Sequence, residues 1–188
     1  MKKITYPMTI AGVKRKLPVC KLNDNLAIGA FVLFGDVKLT EACAGALLKK
    51  APEFDYMVAP EAKAIPLIYE MARQSGRNTY LLVRKNKKAY MQGVFEVAVN
   101  SITTEGTQYL YMDGADAKKM KGKRILIIDD VISTGESLRA VEMLVNKAGG
   151  IVVGRMAVLA EGDAIKRDDI IYLEPLPLFN PDGTVKEL

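Results

Sequence analysis

One stretch constrains the fold more than any other: RILIIDD, residues 124–130, is an unbroken apolar run that ends in two acids. A strand that is apolar on both sides must be covered on both sides, and such strands are typical of parallel sheets. The next segment, residues 133–150, carries apolar residues at helical spacing, with Gly149 suited to the helix end. The sequence therefore predicts a buried strand, two acids just past it, a short turn and a helix.

The same alternation of apolar runs and helical patterns begins at about Asp55. DYMVA (55–59) and NTYLLVR (78–84) are predicted strands, and the helix predicted between them, residues 61–76, ends at Gly76. IVVGRMAVLA (151–160) is the next predicted strand. Strands and helices in this order indicate an α/β fold: a central, mostly parallel sheet with helices on both faces. In such sheets, ligands bind beyond the carboxyl ends of the strands.

A hairpin is predicted beside this sheet. VFEVAVN (94–100) and QYLYMDG (108–114) alternate apolar and polar residues, and they follow a Lys-rich loop, RKNKKAYMQG (84–93). An isolated pair of short strands is only marginally stable, so we expect a flexible hairpin loop over residues 87–107.

Both chain ends depart from the strand and helix rhythm. TYPMTIAGVKRKLPV (5–19) has no helical pattern, and the last 20 residues contain three prolines. We expect residues 1–35, approximately, and the C-terminal tail to form a small hood over one edge. Since 188 residues is a usual length for one domain, residues 1–188 are predicted to form a single domain.

Composition excludes several kinds of chemistry. The chain has no histidine, and Cys20 and Cys43 have no metal-binding spacing, which excludes Ser-His-Asp and Cys-His catalysis and histidine-ligated zinc or haem. Apolar runs are too short for a signal peptide or a membrane span, so a cytoplasmic protein without a membrane partner is predicted. The net charge of +5 favours an anionic partner, and no long basic block points to nucleic acid.

The strongest chemical signal is ILIIDDVISTGES, residues 125–137. Backbone N–H groups of residues 134–136 could converge on a phosphate at the helix N-terminus, where Gly135 permits close approach. Asp129 and Asp130 offer acceptors that suit vicinal sugar hydroxyls or magnesium-bound waters. The plainer interpretation is that the acids end a strand and a hydroxyl side chain caps a helix.

These residues resemble the 5-phosphoribosyl-1-pyrophosphate (PRPP) motif of the type I phosphoribosyltransferases: four apolar residues, two acids and a spaced [ST]-T-G-x-[ST]. APEAKAIPL (59–67) resembles the pyrophosphate-loop segment EARGF of the adenine enzymes, and more closely the EAxGIP of xanthine and archaeal hypoxanthine relatives. VRKNKKAY (83–90) resembles their VRKxGK segment. The likeness covers residues 55–163, approximately, and indicates the purine branch of the family.

The resemblance implies a role for each matching residue. The 5-phosphate would be bound by Ser133, Thr134, Gly135, Glu136 and Ser137. The pyrophosphate would be held by Glu61, Ala62, Lys63, Arg84, Lys85 and Lys88. The implied catalytic residues are Asp129 and Asp130, on the ribose 2- and 3-hydroxyls, and Lys88. Magnesium would be the cofactor, carried by PRPP and waters without a direct protein ligand, and a cis peptide is expected between Glu61 and Ala62.

Base recognition is less sharply indicated. IAGVKRKLPV (10–19) resembles the base-binding segment PGVxFRDITP of the adenine enzymes at few positions, which makes Val13 and Lys14 candidate base contacts. Glu161 follows a predicted strand at the ligand edge, where it is a candidate acceptor for a purine amine or imino proton. A solvated loop acid is the alternative interpretation of Glu161.

The chain departs from the adenine pattern at Lys63-Ala64, where those enzymes have Arg-Gly, and at residues 104–106, Thr-Glu-Gly, where they have Glu-Tyr-Gly. These departures affect the expected choice of base more than the expected phosphoribosyl transfer. Displacing pyrophosphate from the anomeric carbon requires positioning and charge stabilisation rather than a histidine. Closure of residues 87–107 would exclude water from the reacting sugar.

The leading hypothesis is therefore transfer of the 5-phosphoribosyl group from PRPP to a purine base, with adenine first and hypoxanthine, guanine or xanthine next, in purine salvage. A homodimer is expected. The alternatives are a non-catalytic, PRPP-sensing regulator of purine metabolism and an RNA-binding regulator of the same fold. The absence of GxxxxGK[ST] and GxGxxG disfavours P-loop nucleotide hydrolysis and dinucleotide binding.

Overall fold

The computed structural model describes residues 4–100 and 107–186. In chain order its elements are β1 (Thr5–Ile10), β2 (Val13–Asn23), β3 (Leu26–Gly29), α1 (Val37–Leu48), β4 (Tyr56–Pro60), α2 (Ile65–Gln74), β5 (Leu81–Val83), β6 (Phe95–Asn100), β7 (Thr107–Met112), α3 (Gly114–Met120), β8 (Arg124–Ile132), α4 (Glu136–Lys147), β9 (Ile151–Glu161), a 3₁₀ helix (Gly162–Lys166) and β10 (Ile171–Leu176).

The central sheet has five parallel strands in the order β10-β9-β8-β4-β5. From β4 the chain adds β5 on one side, whereas β8, β9 and β10 extend the sheet on the other side. The strand order therefore reverses between β4 and β8. Beyond the carboxyl ends of two such strands the connections diverge and leave a crevice, which is where ligands of this type of sheet bind.

Both faces of the sheet are covered, as the apolar strands predict. One core contains the inner sides of α1 and α2, for example Leu47 and Ile68, packed against β8 residues such as Ile128. The other core contains the inner sides of α3 and α4, for example Met120 and Leu144, packed with Ile127 of the same strand. Because successive strand side chains point to opposite faces, a strand between two helix layers must be apolar throughout.

The N-terminal residues form a separate antiparallel sheet, β1-β2-β3. Residues after β10 reach it, because Phe179 pairs with Ala27 through two backbone hydrogen bonds of 2.8 and 2.9 Å. This contact brings the two chain ends together as expected for the hood.

The assignment of the whole C-terminal segment to the hood is wrong for Ile171–Leu176. This segment is the edge strand of the central sheet, paired in parallel with β9. Pro175 obscured the strand pattern, but an edge strand tolerates proline because one side of its backbone has no ladder to complete. Helices α1 and α3 were not predicted from the sequence.

The hairpin is present as β6 and β7, which pair antiparallel from Phe95 opposite Met112 onward. Its base is joined to the end of β5, because the backbones of Arg84 and Tyr111 exchange hydrogen bonds of 2.7 and 2.8 Å. Residues 101–106, which belong to the expected flexible loop and include the departure at 104–106, lie outside the described residues.

Two predicted boundaries are wrong. Helix α2 begins at Ile65, not at residue 61, because residues 61–64 form a turn. Strand β8 continues to Ile132, two residues beyond the acids, because Val131 and Ile132 still pair with β9. No helix in the described ranges is long and apolar enough to cross a bilayer.

Candidate functional site

The site lies at the crevice between β4 and β8. Asp129 and Asp130 are near the carboxyl end of β8, and residues 61–64 form the turn after β4. Parallel strands end at the same edge of a sheet, so both segments face the same opening. The contact that joins them is an ion pair of 3.0 Å between Lys63 Nζ and Asp130 Oδ2.

The two acids are buried, which the sequence did not predict. Asp129 is 8% exposed and Asp130 is 3% exposed. Asp129 Oδ1 accepts a hydrogen bond of 2.8 Å from the backbone N–H of Asp130. Burial, and then the neighbouring charge of Asp130, raise the pKa of Asp129 above its ordinary value. Both side chains are therefore withdrawn from solvent, unlike acids that simply end a strand at the surface.

Asp130 Oδ2 can accept a hydrogen bond that the described residues do not supply. It is buried and has no hydrogen-bond donor of acceptable geometry within the described part of the chain, although the Lys63 ammonium lies beside it. The Lys63 side chain is 54% exposed, so its attraction for the carboxylate is partly screened by water. A buried acceptor without a donor is costly unless a ligand supplies one. Sugar hydroxyls and metal-bound waters are donors of the required kind.

The turn between β8 and α4 forms a small cavity of about 80 Å³, lined by Asp129, Val131 and residues 132–138. Gly135 immediately precedes the helix in the left-handed conformation, with φ +81°, so the hydroxyl residues do not provide the N-cap of the plainer interpretation. Thr134 N–H donates to Ser133 Oγ at 2.6 Å, and Glu136 N–H points to Thr134 Oγ1 at 3.5 Å. An anion could replace these short-range contacts, because helix N-terminal amides favour negative charge.

A second cluster forms where β5 ends. Glu61 Oε2 accepts from Arg84 Nη1 at 2.8 Å, and Glu61 Oε1 accepts from the backbone N–H of Lys85 at 2.8 Å. Burial raises the pKa of Glu61, but these hydrogen bonds and the nearby charges of Arg84 and Lys88 outweigh it and leave the pKa lowered. The structure therefore gives Glu61 a positioning contact with Arg84. The peptide between Glu61 and Ala62 is cis, as the resemblance predicted.

Glu161 lies at the end of β9, partly buried and on the same edge as the acids. Burial raises its pKa, and the positive charge of Lys63 partly opposes this effect. Lys63 therefore lies within electrostatic reach of the acids on β8 and of Glu161. No described residue forms an ion pair with Glu161, so its carboxyl group has capacity for a ligand donor.

The structure does not bring the two N-terminal candidates into this cluster. Val13 packs against the core, and Lys14 lines a separate open cavity of about 510 Å³ on the β1–β2 hairpin. Within residues 4–100 and 107–186, no hydrogen bond or ion pair links either side chain to the acids or to the turn at 133–137. Their assignment to the base remains a prediction.

Arg167 lies beside the turn at 133–137, and the sequence patterns did not indicate this position. It follows the 3₁₀ helix after β9, and its guanidinium lies against Gly135. Only its place shortly after a strand end was readable in the sequence. Within the described ranges, no group of three or more acids, cysteines or histidines has the arrangement of a metal site.

The chain is similar to known proteins of one family. Residues 38–176 match the family model of the phosphoribosyl transferase domain. The chain is 37% identical over 123 residues to an adenine phosphoribosyltransferase of Thermotoga petrophila, covering 65% of this chain and 64% of the relative. It is 34% identical over 114 residues to a hypoxanthine/guanine phosphoribosyltransferase of Methanocella paludicola, covering 61% of this chain and 56% of the relative.

Among solved structures, adenine phosphoribosyltransferase from Thermoanaerobacter pseudethanolicus superposes with a TM-score of 0.64 at 25% identity, covering 76% of this chain and 84% of that chain. The segments that match the Thermotoga petrophila and Methanocella paludicola proteins span between half and two thirds of the length of those two relatives. The family model covers the crevice, both acids, the turn at 133–137 and the Glu61 cluster. The chain belongs to the phosphoribosyl transferase domain family.

Proposed function

We propose that this chain transfers the 5-phosphoribosyl group of PRPP to a purine base. The observation that carries the proposal is the contact between Lys63 and Asp130 across the crevice, beside a turn suited to a phosphate. A sugar placed there would have its 5-phosphate at residues 133–137, its hydroxyls at the acids and its pyrophosphate toward Lys63. The three parts of PRPP would thus meet three groups of matching chemistry.

In the proposed reaction a base nitrogen forms a bond to the anomeric carbon, and the bond from that carbon to pyrophosphate breaks. The nucleoside monophosphate forms, pyrophosphate leaves, and the base loses a proton to solvent. Positive charge develops on the sugar, where the carboxylates of Asp129 and Asp130 stabilise it. Lys63, Arg84, Lys85 and Lys88 supply positive charge toward the leaving group.

Magnesium is the proposed cofactor. Its preferred ligands are oxygens and it usually keeps several waters, so Asp129 and Asp130 suit magnesium-bound water better than a full set of protein ligands. The buried Asp130 Oδ2 supports this fit, because it accepts no hydrogen bond from the described residues. When bound with PRPP, magnesium would neutralise charge on the pyrophosphate.

Adenine is the first proposed base, followed by hypoxanthine, guanine and xanthine. The adenine and the hypoxanthine/guanine phosphoribosyltransferases among its relatives support a purine. Glu161 is the proposed acceptor for the amine of adenine, since its carboxyl group lies at the same sheet edge without an ion-pair partner within the described ranges. Purine salvage, a cytoplasmic location and a homodimer remain predictions; light scattering on the purified chain tests the last.

The test is incubation of the purified chain with PRPP, magnesium and each purine base in turn, with nucleotide and pyrophosphate measured in parallel. We expect equal amounts of both products with at least one base, and none with the Asp130→Asn variant. If the chain binds PRPP but forms no nucleotide with any base, the hypothesis of a PRPP-sensing regulator replaces that of an enzyme. A chain that does not bind PRPP would refute the proposal.

A further inference from the structure

Arg167 lies directly against the turn at 133–137. A Cβ atom built on Gly135 would be 2.5 Å from Arg167 Nη1. Since a carbon–carbon single bond is about 1.5 Å long, Nη1 lies within about 4 Å of the Gly135 Cα atom. Glycine at this position therefore serves two purposes, because it adopts a positive φ and it leaves space for a guanidinium.

The orientation of Arg167 is fixed from the opposite side. Its Nε and Nη2 atoms donate to the two carboxylate oxygens of Asp169 at 2.8 and 2.7 Å. Asp169 also faces Arg155 at 4.0 Å, and Arg155 pairs in turn with Glu142 of α4. A bidentate pair holds the guanidinium plane. Nη1 is thereby presented to Gly135, and it has no hydrogen-bond acceptor among the described residues.

A phosphate monoester at this turn would carry a charge close to −2. The backbone amides and the dipole of α4 offer only about half a positive charge. The nearest acids, Asp129 and Glu136, oppose the phosphate, and Lys63 is paired with Asp130. A guanidinium held at the turn would supply the missing charge, with donors arranged for phosphate oxygens.

We propose that Arg167 binds the 5-phosphate of the sugar, with Asp169 as its positioning residue. This inference rests on the proposed function, and it assigns the specificity for a phosphorylated sugar to a side chain contributed by the β9–β10 connection. Ligands that carry the terminal phosphate depend on Arg167, whereas pyrophosphate, held beyond the acids, does not.

The test compares ribose 5-phosphate with magnesium pyrophosphate by calorimetry on the full chain. Arg167→Gln should weaken ribose 5-phosphate binding about ten- to hundred-fold, the usual effect of losing a charged hydrogen bond, and leave pyrophosphate binding unchanged. Lys166→Gln is the matched control, because it removes one positive charge at the residue next to Arg167. The Lys166 side chain is 64% exposed. This variant should leave both affinities unchanged.

Two further variants separate positioning from binding and from misfolding. Asp169→Asn keeps Arg167 but releases its guanidinium, so ribose 5-phosphate binding should weaken by a smaller factor. Arg167→Lys restores a charge without the fork and should recover part of the lost affinity. Retained pyrophosphate binding shows that each variant is folded.

Equal ribose 5-phosphate affinity in the wild-type chain, Arg167→Gln and Lys166→Gln would overturn the inference and leave the proposed function in place. A wild-type chain that binds neither ligand and forms no nucleotide would overturn both. If Arg167→Gln also loses pyrophosphate binding while Arg167→Lys recovers none of either affinity, the residue is structural and the inference is wrong.

Discussion

Replacing Asp129 by Asn should stabilise the free protein and weaken its ligand binding at the same time. Asp129 is 8% exposed and lies beside Asp130, which is 3% exposed, and the Lys63 side chain that pairs with Asp130 is itself half-exposed. Burying a carboxylate costs several kcal/mol even after the protein relaxes. The hydrogen bond from the Asp130 N–H returns about 1.5–3 kcal/mol of this cost. The asparagine carbonyl can keep that hydrogen bond without the charge.

We therefore expect Asp129→Asn to raise the free energy of unfolding by about 2 kcal/mol at pH 8. For a domain of this size, that gain corresponds to an increase in Tm of about 4–8 °C. PRPP affinity should fall about ten- to hundred-fold, because a charged acceptor for a sugar hydroxyl is lost. Higher stability together with lower PRPP affinity would indicate that the Asp129 carboxylate serves ligand binding rather than folding.

The stability gain should depend on pH. The pKa of Asp129 is raised in the folded state, because burial disfavours its charged form. The wild-type protein therefore keeps its full stability below the pKa of an unfolded aspartate and loses stability as the pH rises from there through the folded pKa. The variant has no such group. The difference in Tm between variant and wild type should thus be smallest near pH 4 and should increase toward pH 9.

The assay is thermal and urea unfolding of both proteins from pH 4 to pH 9, with calorimetry for PRPP. Asp24→Asn is the control, because the Asp24 side chain is 94% exposed and its substitution should change the free energy of unfolding little. A lower Tm for Asp129→Asn at pH 8, with a difference that does not change with pH, would refute the reasoning.

Four other changes test the rest of the site. Lys63→Gln removes the cation beside buried Asp130 and should lower stability at pH 8 by about 1 kcal/mol and weaken pyrophosphate binding; urea unfolding and calorimetry that show neither effect would contradict the ion pair. Gly135→Val combines a strained φ with a contact on Arg167 and should abolish ribose 5-phosphate binding, so a crystal of the variant with phosphate still in the turn would argue against this role. Lys88→Ala should lower kcat at saturating PRPP more than it weakens PRPP binding, whereas a change confined to Kd would assign Lys88 to ground-state binding. Amide hydrogen exchange in residues 87–100 should slow when PRPP and magnesium are added, and equal protection in both states would favour a solvated basic hairpin.

Local sequence patterns account for the central part of the fold. An apolar run such as residues 124–130 is typical of a strand covered on both faces, and together with the helical patterns around it, it predicts the parallel sheet and its helices. Gly135 and the surrounding hydroxyl residues also indicate a phosphate turn locally, because backbone conformation depends on a few neighbouring residues. The roles of the individual site residues came from the resemblance and remain predictions.

The surroundings of these residues depend on contacts between segments that are distant in the sequence. Whether Asp129 and Asp130 are solvated or buried depends on the pairing of β8 with β9 two residues beyond them. The partner of Glu61 is 23 residues away, and no local pattern specifies such a pairing.

The edge strand β10 and the placement of Arg167 against Gly135 have the same origin. Both depend on how the segment after β9 returns to the sheet, and that path is set by packing and by the Arg155, Glu142 and Asp169 contacts. Contacts between residues far apart in the sequence stabilise one path of the chain, but they leave no periodic pattern in the sequence. They determine charge and access at the site, whereas local periodicity determines which strands and helices form.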